Sequence, residues 1–285
     1  MRITTLEDLI ARFRVICLDA YGVLVTTSGA IDGAAELIDR LNVLTRSGSH
    51  AYFVLTNDAS RLPTSASDYY RKCGLDIEPS RVLTAGLAIA PRLNDLARPR
   101  CFVFGNLETA AYVERAGGIA LPFDPALDCD AVVVGDDSGF DFMPAMNAVL
   151  TSLHRQHLAG RAPRLLLANA DLLYPRGHGG FGFTSGAIAK LLELGLEQLG
   201  SGTRVSFEIL GKPGRALFEL ALAQAQCPAS DAVMLGDQLH TDIKGANLAG
   251  FSSCLVASGV TRLPLRPGLP AEETPTFTLA SLRTH

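Results

Sequence analysis

The chain has no uninterrupted apolar run long enough to cross a bilayer, so no transmembrane helix is expected. It also lacks a basic excess. Its 25 Lys and Arg stand against 29 Asp and Glu, a formal net charge of −4, which leaves no electrostatic footprint for nucleic acid. Paired cysteines are missing too. Cys17, Cys73, Cys101, Cys129, Cys227 and Cys254 form no Cys-x-x-Cys pair, so neither a zinc site nor a disulfide framework is expected, and free thiols suit a reducing compartment. Met1 to Leu9 is acidic and polar, where a secretory signal is basic and then apolar. No repeat of solenoid length recurs. The expectation is a cytoplasmic protein without nucleic-acid or membrane partners.

What is present is material for a core. Hydrophobic residues make up 48% of 285 positions, enough for one large domain or two modest ones. Thr5 and Asp8 have capping-box spacing for a short leading helix over Thr5 to Ile10. Val15 to Leu18 and Ala51 to Leu55 read as buried strands. Helices are predicted over Ala34 to Leu44, over Ser67 to Cys73 with Gly74 as its cap, and after Thr84 within Val82 to Leu96. A second strand–helix alternation then runs from Cys101 to Leu199, with strands at Cys101 to Phe104, Ala131 to Val134 and Leu165 to Ala168. The first pattern resumes with a strand at Ala232 to Leu235, a helix at Asp242 to Ala249 and a last strand at Ser253 to Ala257, followed by a proline-rich tail read as loop. Alternation of this kind is the signature of parallel α/β sheets. The predicted fold is α/β: a Rossmann-like core over 1–91 and 206–285, interrupted by an α/β unit over 92–205.

Four polar residues follow apolar runs in a fixed order: Asp19 after Val15 to Leu18, Thr56 after Val54-Leu55, Lys212 after Ile209-Leu210-Gly211, and Asp237, continuing to Asp242, after Val233 to Gly236. A carboxylate at the C-terminal end of a parallel strand points into the crevice where open α/β sheets bind ligands. Taken singly, each residue has a plainer explanation: a capping acid, an N-cap threonine, a turn lysine, a turn acid and, for Asp242, another N-cap.

Taken together, the order Asp, Thr, Lys, Asp strongly resembles the haloacid dehalogenase-like (HAD) hydrolases. Within them it resembles the class IIA branch of NagD-like sugar phosphatases, nitrophenyl phosphatases and pyridoxal phosphatase relatives. The resemblance covers nearly the whole chain. It implies an Asp19 nucleophile that forms an aspartyl-phosphate, with phosphate oxygens held by Thr56 and Lys212. It further implies Mg²⁺ bound by Asp19, Asp237 and the Tyr21 main-chain carbonyl, with Asp242 orienting the metal's waters or ligands. The insertion between Thr56 and Lys212 matches the class II cap, which selects the substrate. Asn169-Ala170-Asp171 resembles the family's Asn-Pro-Asp segment, and Tyr174 falls where a leaving-group contact is common. Asn57, Asp171, Tyr174 and His178 are thus substrate-side candidates. His178 is read first as a solvated loop residue, and otherwise as a substrate contact or a stand-in acid. Asp58 is expected to cap the next helix, and His240 to be a surface residue. A small phosphorylated metabolite is the implied partner, with homodimerisation through the cap.

Position 21 departs from the family. Most of its phosphatases carry an Asp there, which protonates the leaving oxygen and later activates water. A phenol ionises near ~10 in water and is a poor base at neutral pH. General acid–base help is worth roughly 10²–10⁴-fold, so esters with poor leaving groups should suffer most. Asp19-Ala20-Tyr21-Gly22 also resembles the first motif of true haloacid dehalogenases, in which Asp attacks carbon and halide departs. The insertion point and the Gly236-Asp237 motif favour phosphorus. A catalytically weak protein that binds phosphate or a metabolite is the third reading.

Overall fold

The computed structural model describes residues 2–26, 28–176, 180–200 and 205–283. Its contacts divide the chain into two compact units. One comprises Met1–Thr56, Pro63–Thr84 and Lys212–His285, and the other Asn57–Leu62 and Ala85–Gly211.

The first unit is built on a seven-stranded sheet in the order Arg2–Ile3, Phe277–Leu279, Ser252–Val256, Ala232–Gly236, Val15–Leu18, Ala51–Thr56, Val82–Thr84. Every pairing in it is parallel. Val15–Leu18 is the middle of the site-bearing region, with Leu18 opposite Leu235 on one side and Val54 on the other. Its four residues are all buried. A strand covered on both faces needs apolar side chains in both directions, which is why it reads as an unbroken apolar run.

The helix Leu6–Arg12 starts at a complete capping box, with the Thr5 hydroxyl accepting from the Asp8 N–H and the Asp8 carboxylate accepting from the Thr5 N–H. Leu37, Ile38 and Leu41 of the helix Ala34–Arg46 pack into the same core as Ile16, Leu18 and Val54.

The second unit carries a five-stranded parallel sheet in the order Glu208–Ile209, Arg164–Leu167, Ala131–Val134, Arg100–Phe104, Ile119–Leu121. Helices Phe142–Leu158 and Ser185–Gln198 supply Val149, Leu153, Ile188 and Leu192 to its core. A two-stranded antiparallel hairpin pairs Leu173–Arg176 with Gly180–Phe183.

Several expectations are corrected. The residues after Thr84 form no α-helix. Two 3₁₀ turns, Ala85–Ala88 and Ala90–Arg92, stand there instead. Pro91 has no N–H to give and disfavours the α conformation at Ala90, so a longer helix cannot run through. The helix placed at Ser67 begins at Pro63 and ends at Lys72; proline suits the first helical position, where its missing N–H would be unpaired anyway. Ser252–Val256 is not the last strand. Phe277–Leu279 follows the proline-rich tail and pairs beside it. Asp242 does not open an α-helix. It sits in a single π turn, Leu239–Ile243, ahead of the helix Lys244–Ala249. Among the described residues, no helix is long and apolar enough to cross a membrane.

Candidate active site

Three neighbouring strands of the first unit end in the residues of interest. Asp19 follows Val15–Leu18, Thr56 closes Ala51–Thr56, and Asp237 follows Ala232–Gly236. Parallel pairing brings these C-terminal ends to one edge of the sheet. The Asp19 N–H donates to the Leu235 carbonyl at 2.9 Å, which extends the ladder to the acid itself. Gly22, with φ +93, then turns the chain back. A Cβ on Gly22 would stand 2.3 Å from Asp237 Oδ2, so only glycine allows this approach.

Lys212 joins this edge as the first residue of its returning segment. Its side chain is 2% exposed, and Nζ donates to Asp19 Oδ1 at 2.5 Å and to Asp242 Oδ1 at 2.7 Å. The second oxygen of Asp242 accepts from the Gln238 N–H at 3.1 Å. That contact folds the π turn back on itself, against Gly236, where a Cβ would meet the Asp242 Cβ at 2.1 Å. Asp237 is fully buried. Its Oδ2 accepts from the Val260 N–H at 2.6 Å, while Oδ1 has no hydrogen-bond partner among the described residues.

The electrostatics follow from three buried acids and one buried base. Burial holds the Asp19 carboxyl well above its ordinary range; the Lys212 ammonium opposes this, and the charges of Asp242 and Asp237 add to it. Burial pushes Asp237 up to about 6, with Asp242 contributing. Burial works against the Lys212 ammonium, yet Asp19 and Asp242 more than offset it and its pKa is raised. An additional cation is the natural complement. Ligand oxygens of Asp19, Asp237 and Asp242 lie within 4.8 Å of one another. Together with the unpartnered Asp237 Oδ1, this all-oxygen set fits a hard divalent ion.

Tyr21 is 38% exposed, and its ring stacks on Tyr69 with centroids 6.4 Å apart and planes at 23°. Burial and a hydrogen bond with Tyr21 raise the Tyr69 phenol pKa. The ring at position 21 thus lies against a second tyrosine ring on the helix Pro63–Lys72.

The structure brings Asp19, Thr56, Lys212, Asp237 and Asp242 together within one compact unit. Asn57, Asp171 and Tyr174 belong to the other. The Asn57 side chain lies against Gly211, where a Cβ would meet Oδ1 at 2.6 Å. The Asp171 N–H donates to Asn169 Oδ1 at 3.0 Å. Tyr174 lies in the hairpin strand, opposite Gly182. His178 lies outside the described residues. Asp58 does not cap the next helix: Oδ1 accepts from the Ser60 N–H and hydroxyl at 2.8 and 2.6 Å, and Oδ2 pairs with Arg61 at 2.7 Å. These local bonds form before the chain reaches Pro63. His240 is exposed, as expected. A cavity of about 450 Å³ in the second unit is lined by Arg100, Asp128, Gln156, Arg161 and Arg164, none of them a predicted site residue.

Two features escaped sequence reasoning. The pairing of Lys212 with Asp242 joins residues whose separate roles were expected but not their contact. The Val260 N–H is invisible as a side-chain pattern; Gly259 beside it is its only sequence signal.

A haloacid dehalogenase-like hydrolase model matches residues 16–118, and a HAD-hydrolase-like model matches residues 209–284. The chain is 28% identical over 256 residues to a dihydroxyacetone phosphatase of Corynebacterium glutamicum, covering 87% of this chain and 85% of that one. Among solved structures, a possible sugar phosphatase of the HAD superfamily from Cytophaga hutchinsonii superposes with a TM-score of 0.80 at 27% identity, covering 100% of this chain and 99% of that one. NagD from Escherichia coli superposes with a TM-score of 0.73 at 25% identity, covering 99% and 98%.

Proposed function

The chain belongs to the haloacid dehalogenase-like hydrolases, in their NagD-like branch, and we propose that it is a Mg²⁺-dependent phosphatase of a small, sugar-phosphate-like metabolite. The observation that carries this reading is the buried Asp19, held by Lys212 at the end of a central parallel strand beside Asp237 and Asp242.

Asp19 attacks phosphorus, the ester oxygen leaves with the bonding electrons, and an aspartyl-phosphate forms. Water then cleaves that acyl phosphate and regenerates the carboxylate. Attack requires an ionised Asp19, and burial resists ionisation. Lys212 opposes that resistance and offsets repulsion between Asp19 and an anionic substrate. Thr56, at the end of the adjacent strand, offers its hydroxyl to a phosphate oxygen. Asp19, Asp237 and the Tyr21 carbonyl would hold Mg²⁺, with Asp242 behind them. When bound, the ion supplies positive charge to the transferring phosphoryl oxygens. Asp171, Tyr174, Asn57 and His178 remain the candidates for substrate choice.

Relatives named as phosphatases support attack on phosphorus over attack on carbon. A second reading, weak turnover with retained binding, is favoured by one observation. The Tyr21 ring stacks on that of Tyr69, so position 21 presents an aromatic ring and no carboxyl acid.

The test is Mg²⁺-dependent phosphate release from an aryl phosphate and a sugar-phosphate panel, using wild type, Asp19→Asn and Tyr21→Asp. Turnover by wild type and its loss in Asp19→Asn are expected. Full activity in Asp19→Asn would sink the aspartyl-phosphate mechanism. Activity seen only in Tyr21→Asp would establish the second reading.

A further inference from the structure

We propose that Ser258–Thr261 is a main-chain clamp, which fixes the orientation of Asp237 toward the cation and ties Asp237 to the turn that follows Asp19. The proposal rests on the metal reading above. The segment leaves the strand Ser252–Val256, which pairs directly with Ala232–Gly236. It makes three bonds across the end of the sheet. The Val260 N–H donates to Asp237 Oδ2 at 2.6 Å, and the Thr261 N–H donates to the Asp237 carbonyl at 3.1 Å. The Ser258 hydroxyl donates to the Gly22 carbonyl at 2.7 Å.

The two oxygens of Asp237 are thereby made unequal. Oδ2 is enclosed by main chain: a Cβ on Gly259 would stand 2.0 Å from it, and one on Gly22 would stand 2.3 Å away. Oδ1 is buried and has no hydrogen-bond partner among the described residues. A free carboxylate can exchange its oxygens by rotation about its last bond. The clamp prevents that, leaving one lone-pair set available to a cation. The bond from Ser258 to Gly22 extends the restraint to the turn after Asp19, the residue beyond the carbonyl expected to ligate the ion.

The side chains support a main-chain role. Val260 is 63% exposed, so its side chain faces water, while the Val260 and Thr261 N–H groups reach Asp237. The narrow approach at Gly259 accounts for glycine there, since any side chain would collide with the carboxylate. Groups that orient metal ligands in this way typically govern affinity about 10–100-fold.

The experiment is Mg²⁺ binding to the full chain by isothermal titration calorimetry, paired with the melting temperature of the metal-free protein. Four variants are compared. Val260→Pro deletes the donor, and Val260→Ala is the conservative control that retains it. Gly259→Ala crowds Oδ2, and Ser258→Ala cuts the bond to Gly22. Val260→Pro and Gly259→Ala should weaken Mg²⁺ binding by about tenfold or more. Val260→Ala should bind like wild type, and Ser258→Ala should bind severalfold more weakly. A turn that merely closes the sheet would lower the metal-free melting temperature and leave affinity intact. Folded Val260→Pro and Gly259→Ala with wild-type affinity would therefore overturn the clamp. If those two fail to fold, Ser258→Ala decides, and unchanged affinity there overturns it. Wild-type protein that binds no Mg²⁺ would instead remove the metal reading on which the clamp rests.

Discussion

Replacing Lys212 with Met tests whether the buried base holds the acidic cluster together. Methionine approximates the aliphatic stem, which packs in the core, and deletes only the ammonium. The side chain is 2% exposed and bonded to two carboxylates at 2.5 and 2.7 Å. Removing one partner of a buried ion pair strands the other and costs about 3–5 kcal/mol. Two carboxylates are stranded here, so the upper half of that range is expected. Against a typical total stability of about 5–15 kcal/mol, the loss is readily measured by urea denaturation at pH 7 in EDTA. The pH dependence carries a definite sign. The Asp19 carboxyl already sits well above its ordinary range, and the Lys212 charge is what opposes the rise. Without Lys212 it rises further, so Asp19 keeps its proton to higher pH and the stranded charge disappears on acidification. The deficit should therefore shrink as pH falls below 7. Added Mg²⁺ at pH 7 should recover part of it. A Lys212→Met protein as stable as wild type at pH 7 without metal would refute this account of the cluster.

Three further expectations follow from individual residues. Asp237 is raised to about 6 from an unfolded value near ~3.9. Its contribution is fully present below the unfolded value and lost as pH rises through 6, on the order of 3 kcal/mol at most. Metal-free protein should lose that increment in thermal melts from pH 4 to 7, and Asp237→Asn should flatten the slope; an unchanged slope would clear Asp237 of the effect. Gly22→Ala imposes a side chain at φ +93, 2.3 Å from Asp237 Oδ2. A loss of more than ~1 kcal/mol with weakened Mg²⁺ binding is expected, and near-neutral values in both measurements would contradict the close approach. Thr5→Ala removes the capping box of Leu6–Arg12 and should cost ~1 kcal/mol without altering phosphate release; reduced release in folded protein would argue against a purely local effect.

The strands that define the fold were legible because burial on both faces demands continuous apolar runs. Val15–Leu18 and Ala131–Val134 emerge with the limits read from sequence. Phe277–Leu279 and Arg2–Ile3 were not legible, because three and two residues are too short for any period to register. The turns at Ala85–Arg92 show a helix-rich composition overruled by Pro91. In the candidate site, the acids and the lysine were legible only through their order along the chain. Contacts made by main-chain groups left no side-chain pattern to read, as with the Gln238 N–H on Asp242 and the Val260 N–H on Asp237.

The order of strands also sets when the centre can come into being. Val15–Leu18 finds one neighbour, Ala51–Thr56, soon after it is synthesised. Its other neighbour is Ala232–Gly236, and Lys212 and Asp242, which complete the cluster around Asp19, lie far downstream. A growing chain therefore carries Asp19 on a half-paired strand through most of its synthesis, while nearly all of the second unit emerges and can fold first. The site is a late product of assembly. A nascent chain stalled before Lys212 has Asp19 but no lysine–acid cluster. Ribosome-bound intermediates should accordingly expose the apolar edge of that strand and be the species most prone to mispairing.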